Sequence, residues 1–152
     1  MAIQTTAIER RARATWEGDL RDGVGRFDLE SGAITGQEVT FASRFEESGG
    51  RTSPEELIAA AHATCFSMAL ANGLAQQGNP PTRLEADAVC RLDKADGGFR
   101  ITSMNLSVRG EVEGIDEAGF RAAAEQARDG CPVSQALAGN LEISVDASLR
   151  GG

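Results

Sequence analysis

Cysteine is scarce and odd in number: Cys65, Cys90 and Cys131 cannot all close into a structural disulfide framework, so whatever role they have is as thiols. A single histidine, His62, beside three scattered cysteines falls short of the clustered ligands a zinc site uses. Positive charge is in deficit, with 15 Lys and Arg against 23 Asp and Glu for a net of −8. The short basic patch Arg10-Arg11-Ala12-Arg13 carries Glu9 beside it, so a nucleic-acid partner is excluded. The opening Met1-Ala2-Ile3-Gln4-Thr5-Thr6 lacks the basic-then-apolar layout of a secretory leader, and the expected compartment is the reducing cytoplasm. Phosphate loop, Gly-x-Ser-x-Gly elbow and Cys-x-x-Cys are all missing. Gly23-Val24-Gly25-Arg26-Phe27-Asp28 begins like a dinucleotide fingerprint but ends in aspartate and leads into no helix.

What is present is an ordinary globular composition, 152 residues with 41% hydrophobic and 25% charged, without repeats or linkers. It reads as one domain over residues 1–152. Short strands are expected over Arg13 to Trp16, Gly25 to Leu29 and Val39 to Phe45, separated by turn-forming dipeptides. From Thr52 to Gln77 helix formers take over, with Ser53 placed as N-cap, Pro54 at the first helical position and Glu56 completing a capping box. No charge occurs from Leu57 through Ala75. That run is mostly alanine, interrupted by His62, Thr64, Ser67, Asn72 and Gly73, and it barely reaches the roughly 20 strongly apolar residues a membrane span needs. It is better explained as the central helix of a soluble core, with Phe66, Met68 and Leu70 packed inside. Strands over Leu84 to Leu92 and Phe99 to Val112 meet at Asp96-Gly97-Gly98. A helix over Glu117 to Arg128 is capped by Asp116, a short helix starts at Cys131-Pro132, and Leu141 to Leu149 alternates as a final strand. The class is α+β.

The thiols sit in unlike settings. Cys65 falls on the helical row Ile58, Ala61, Cys65, Ala69, where a free cysteine is commonly a small core hydrophobe. Cys131, between Gly130 and Pro132, lies at a helix N-cap, where backbone N–H groups favour a thiolate, or where it simply replaces serine as a weak cap. Cys90 alternates with Val89 in a strand and reads as packing. His62 reads as a hydrogen-bonded core or pocket residue rather than a base, and Glu56 as a capping residue.

Three segments, Arg44-Phe45-Glu46, Thr52-Ser53-Pro54-Glu55-Glu56-Leu57 running on through His62-Ala63-Thr64-Cys65-Phe66-Ser67-Met68-Ala69-Leu70, and Gly130-Cys131-Pro132-Val133-Ser134-Gln135, resemble the OsmC/Ohr family of thiol peroxidases. Order and spacing agree along nearly the whole chain, including Trp16-Glu17-Gly18-Asp19. The arginine at position 44 and Pro54-Glu55-Glu56-Leu57 are similar to the osmotically inducible OsmC branch rather than the organic hydroperoxide resistance branch.

The resemblance implies strands wrapped around a long buried central helix in an intertwined homodimer. It implies reduction of organic hydroperoxides, and more weakly hydrogen peroxide, with no bound cofactor and a lipoyl-type dithiol or lipoylated protein as external reductant. Carried over by position, Cys65 matches the peroxidatic thiol, Cys131 the resolving thiol, Glu55 the glutamate of the active-site network and Arg44 its arginine, with Arg26 nearer the other branch's arginine. A buried thiol needs a cation to ionise at neutral pH, which arginine supplies without titrating. Local reasoning alone makes the N-capping Cys131 the more acidic thiol. Glu55 and Cys65 are ten positions apart, about 15 Å of rise on a straight helix, so either the helix bends or Glu55 of one subunit completes the site of the other. The alternative to a turning-over enzyme is a redox-sensing dimer that uses the same cysteine pair once.

Overall fold

The computed structural model describes residues 7–150; the opening residues on which the leader argument rests lie outside them. The chain falls into two compact units, residues 1–54 and 55–152, taken in turn.

In the first unit, β1 (Ala12–Glu17), β2 (Val24–Leu29) and β3 (Gln37–Val39) form an antiparallel meander in the order β1-β2-β3. The expected strand over Val39 to Phe45 is corrected here: β3 stops at Val39, and Phe41–Phe45 is a short helix, α1. The cause is a side-chain cap. Ser43 N–H donates to Thr40 Oγ1 at 3.1 Å and Thr40 N–H donates to Ser43 Oγ at 2.9 Å. This reciprocal box satisfies two otherwise free donors and outweighs the strand preference of the aromatic residues that follow.

The second unit is dominated by α2 (Pro54–Gln76), which runs unbroken for 23 residues. Proline stands at its first position as expected, and Glu55 and Glu56 lie in the first turn, where negative charge suits the helix dipole. Thr64 Oγ1 and Ser67 Oγ each donate to the carbonyl four residues back, at 2.8 and 2.7 Å, so these polar side chains need no other partner inside the helix. Glu55, His62, Phe66, Leu70 and Leu74 make one buried stripe. By length and composition alone α2 could cross a membrane, but this stripe lies in the protein's own core. Met68, expected inside, is 68% exposed. It stands two residues from Phe66, about 200° around the helix.

Downstream, β4 (Pro81–Ala95) and β5 (Gly98–Val112) form a long antiparallel hairpin. Both strands are longer than expected, and Asp96-Gly97 links them, with Gly97 at φ 81°, a left-handed conformation that favours glycine. Asp116 accepts from Gly119 N–H at 2.8 Å and starts α3 (Glu117–Gly130); α4 (Pro132–Leu137) follows. These two helices form the crossover that a parallel partner requires. It delivers β6 (Glu142–Leu149) alongside β5, in the sheet order β4-β5-β6.

The core follows from two periodicities. Met104, Leu106 and Val108 alternate inward along β5, while Phe120, Ala123, Ala124 and Ala127 mark one face of α3. They meet Phe66, Leu70 and Leu74 of α2 in one apolar cluster that also contains Cys131. Each fully buried leucine or phenylalanine contributes about 1.5–3 kcal/mol. Gly110 lets the Phe120 ring lie against β5, since a Cβ there would stand 2.5 Å from its Cζ.

Candidate functional site

Cys131 occupies the joint between two helices. Its N–H donates to the Ala127 carbonyl at 3.0 Å and ends α3. Its sulfur accepts from Ser134 N–H at 3.3 Å and caps α4. Gly130 before it and Pro132 at the first position of the next helix make the joint, as their order in the sequence suggests. The residue is fully buried. Cys65, midway along α2 and next to the buried Phe66, is only half-buried.

These two thiols come together. The Cys65 thiol is a near neighbour of the Cys131 thiol and of the Val133 backbone N–H, close enough for both to act on its ionisation. Burial, first, and the neighbouring Cys131 sulfur push the Cys65 thiol up from its ordinary pKa, while the Val133 N–H pulls the other way. Those influences all arise in the second unit. No disulfide joins the pair; Cys65, Cys90 and Cys131 are all free.

Behind Cys131 lies a polar chain. Ser134 Oγ is 3.2 Å from Cys131 Sγ and 2.7 Å from His62 Nε2. His62 is fully buried on the core face of α2, and burial lowers its pKa, which keeps the imidazole neutral at pH 7. Its Nδ1 meets no hydrogen-bond partner among the described residues. Sequence reasoning places His62 in the core with a hydrogen bond but passes over Ser134. The available signal is its position three residues after the N-cap.

Glu55 is buried in the first turn of α2. After burial, its negative charge is the second cause that raises the pKa of Cys90 on β4. In its own chain Glu55 is near enough for its charge to act on Cys90, and because α2 is unbroken from Pro54 to Gln76, the bend that would swing it to Cys65 is absent. Arg44 and Arg26 belong to the first unit. Arg44 lies on α1 with its guanidinium 5.1 Å from the Phe45 ring centroid, and Arg26, on β2, donates to Glu38 Oε2 at 3.1 Å.

Chemically, the arrangement sets a half-buried thiol beside a fully buried one. A sulfur oxidised at Cys65 would have its condensation partner already beside it.

The family profile described as "OsmC-like protein" matches residues 47–146. Peroxiredoxin OsmC of Escherichia coli K12 is 45% identical over 143 residues, covering 94% of this chain and 98% of that protein. Among solved structures, the organic hydroperoxide resistance protein OhrB of Bacillus subtilis superposes with a TM-score of 0.72 at 25% identity, covering 91% of this chain and 98% of that one. An organic hydroperoxide resistance protein from Elizabethkingia anophelis shares the fold, with a TM-score of 0.76 over 96% of this chain and 99% of that one at 23% identity. The chain belongs to the OsmC family.

Proposed function

We propose that the protein is a thiol-dependent peroxidase. It reduces organic hydroperoxides, and more weakly hydrogen peroxide, to alcohols through a Cys65 sulfenic acid and a Cys65–Cys131 disulfide that an external lipoyl-type dithiol reduces. The observation that carries this reading is the closeness of the buried Cys131 thiol to the half-buried Cys65 thiol, near enough to act on its ionisation. The names of the relatives, peroxiredoxin and organic hydroperoxide resistance protein, support the same chemistry. The greater exposure of Cys65 supports the roles that the family resemblance implies, Cys65 as the peroxidatic thiol and the buried Cys131 as the resolving one.

Attack by the Cys65 thiolate on the peroxide O–O bond releases an alcohol and leaves a sulfenic acid. Condensation with Cys131 then forms the S–S bond and releases water. Within its own unit the Cys65 thiol is held above its ordinary pKa, so ionisation calls for a cation. Arg44 is assigned that role, with Glu55 of a second subunit orienting its guanidinium. The exposed face of α2 around Met68 supports a homodimer, and the free thiols suit a reducing cytoplasm.

Steady-state consumption of tert-butyl hydroperoxide and hydrogen peroxide with dihydrolipoamide tests the reading. Turnover is expected from the native protein. Cys65→Ser should abolish oxidation, and Cys131→Ser should allow a sulfenic acid without turnover. Consumption of a single equivalent by the native protein would make it a redox sensor instead.

A further inference from the structure

Ser134 is positioned for a task that thiol pairing alone leaves unassigned. Disulfide formation needs Cys131 to lose a proton, yet Cys131 is fully buried and caps a helix, so solvent cannot collect it. Among the described residues, the side-chain hydroxyl against its sulfur is Ser134 Oγ at 3.2 Å, and that same oxygen lies 2.7 Å from His62 Nε2. The three atoms form a buried line from α4 to α2. A neutral imidazole with its hydrogen on Nδ1 presents a lone pair at Nε2 toward Ser134.

We propose that Ser134 is a catalytic residue of the disulfide-forming step, and that His62 is the positioning residue that receives, through Ser134, the proton Cys131 gives up. The proposal rests on the two-cysteine reading above. The Cys131 S–H donates its proton to Ser134 Oγ while the Ser134 hydrogen passes to His62 Nε2. The freed electron pair on the Cys131 sulfur forms the S–S bond to Cys65. The S–O bond of the Cys65 sulfenic acid breaks, and its oxygen leaves as water, carrying the hydrogen it already had and the proton lent to His62. Cys131 is oxidised, the Cys65 sulfur falls from sulfenic acid to disulfide, and no further oxidant is needed. Because burial disfavours the charged ring, His62 returns the proton rather than storing it.

The test uses the full-length protein oxidised with one equivalent of tert-butyl hydroperoxide. Sulfenic acid on Cys65 is captured with dimedone, and the Cys65–Cys131 disulfide is followed by mass spectrometry. Ser134→Ala and His62→Gln should each lower the rate of disulfide formation relative to the rate of Cys65 oxidation by at least about 10-fold, with a matching rise in dimedone adduct. Ser134→Thr, which keeps the hydroxyl, should restore most of the ratio. Glutamine is the discriminating replacement, because its amide oxygen accepts a hydrogen bond from Ser134 but takes up no proton. A native ratio in His62→Gln would reduce His62 to a structural part and overturn the relay, as would a native ratio in Ser134→Ala. Should Ser134→Ala fail to fold, Ser134→Thr and His62→Gln decide the matter between them. If the native protein forms a sulfenic acid and Ser134→Ala or His62→Gln condenses at its rate, only the relay falls. If the native protein forms none, the peroxidase reading falls with it.

Discussion

Glu85, on β4, gathers three guanidinium groups, from Arg83 at 2.6 Å, Arg109 at 3.1 Å and Arg150 at 3.6 Å. The hydrogen bond from Arg83, followed by that from Arg109, pulls its pKa down to about 2 from 4.5. A depressed folded pKa means the carboxylate favours folding above pH 4.5, and that the contribution fades as pH falls from there toward 2. Glu85→Gln should therefore lower the melting temperature at pH 7 by on the order of a few degrees, less in high salt. The gap to the native protein should narrow steadily below pH 4.5. An equal gap in mildly acidic and neutral buffer, on the two sides of that value, would show that the loss is one of packing rather than charge. The same scale holds the least legible part of the site. Ser134 matters through His62, 72 residues away on another element, and no local spacing carries that information.

Among the elements, those with strong periodicity are readable from the sequence. The inward alternation of β5, the four-residue face of α3 and the signals Asp116, Gly130 and Pro132 locate strands and helices to within a few residues. The helix α1 escapes such a reading because its apolar residues suit a strand, whereas the decision lies in two side-chain hydrogen bonds between Thr40 and Ser43. The Cys65–Cys131 pairing is expected from the family resemblance and not from spacing, since 65 residues lie between them in the chain and a loop of that length permits contact without requiring it. Where β5 meets α3, the absence of a side chain at Gly110 is itself a packing feature. Gly110→Ala would place a methyl 2.5 Å from Phe120 Cζ and 3.2 Å from Leu84 Cδ2, a clash costing about 1–3 kcal/mol. Urea denaturation should show a lower midpoint with an unchanged slope. Unaltered stability would mean that the Phe120 ring has room to retreat.

For the whole molecule, the unbroken course of α2 has a bearing on assembly. Glu55 and Cys65 lie about 15 Å apart along one helix axis, so if both serve one reaction centre, two chains must contribute. Mixing Cys65→Ser chains with Glu55→Ala chains tests this. Heterodimers contain one centre with both residues intact, and peroxidase activity should reappear from two inactive parents. No recovery would rule out a shared centre.

If the proposed disulfide forms, the seclusion of Cys131 also sets the direction of its recycling. In the proposed disulfide the only sulfur an incoming dithiol can strike is that of Cys65, so Cys131 is always the group expelled. It departs onto the Ser134 N–H that already points at it. On the proposed reading, reductant and peroxide would enter by one door and compete for one atom, and a mixed disulfide with the electron donor would be carried on the central helix.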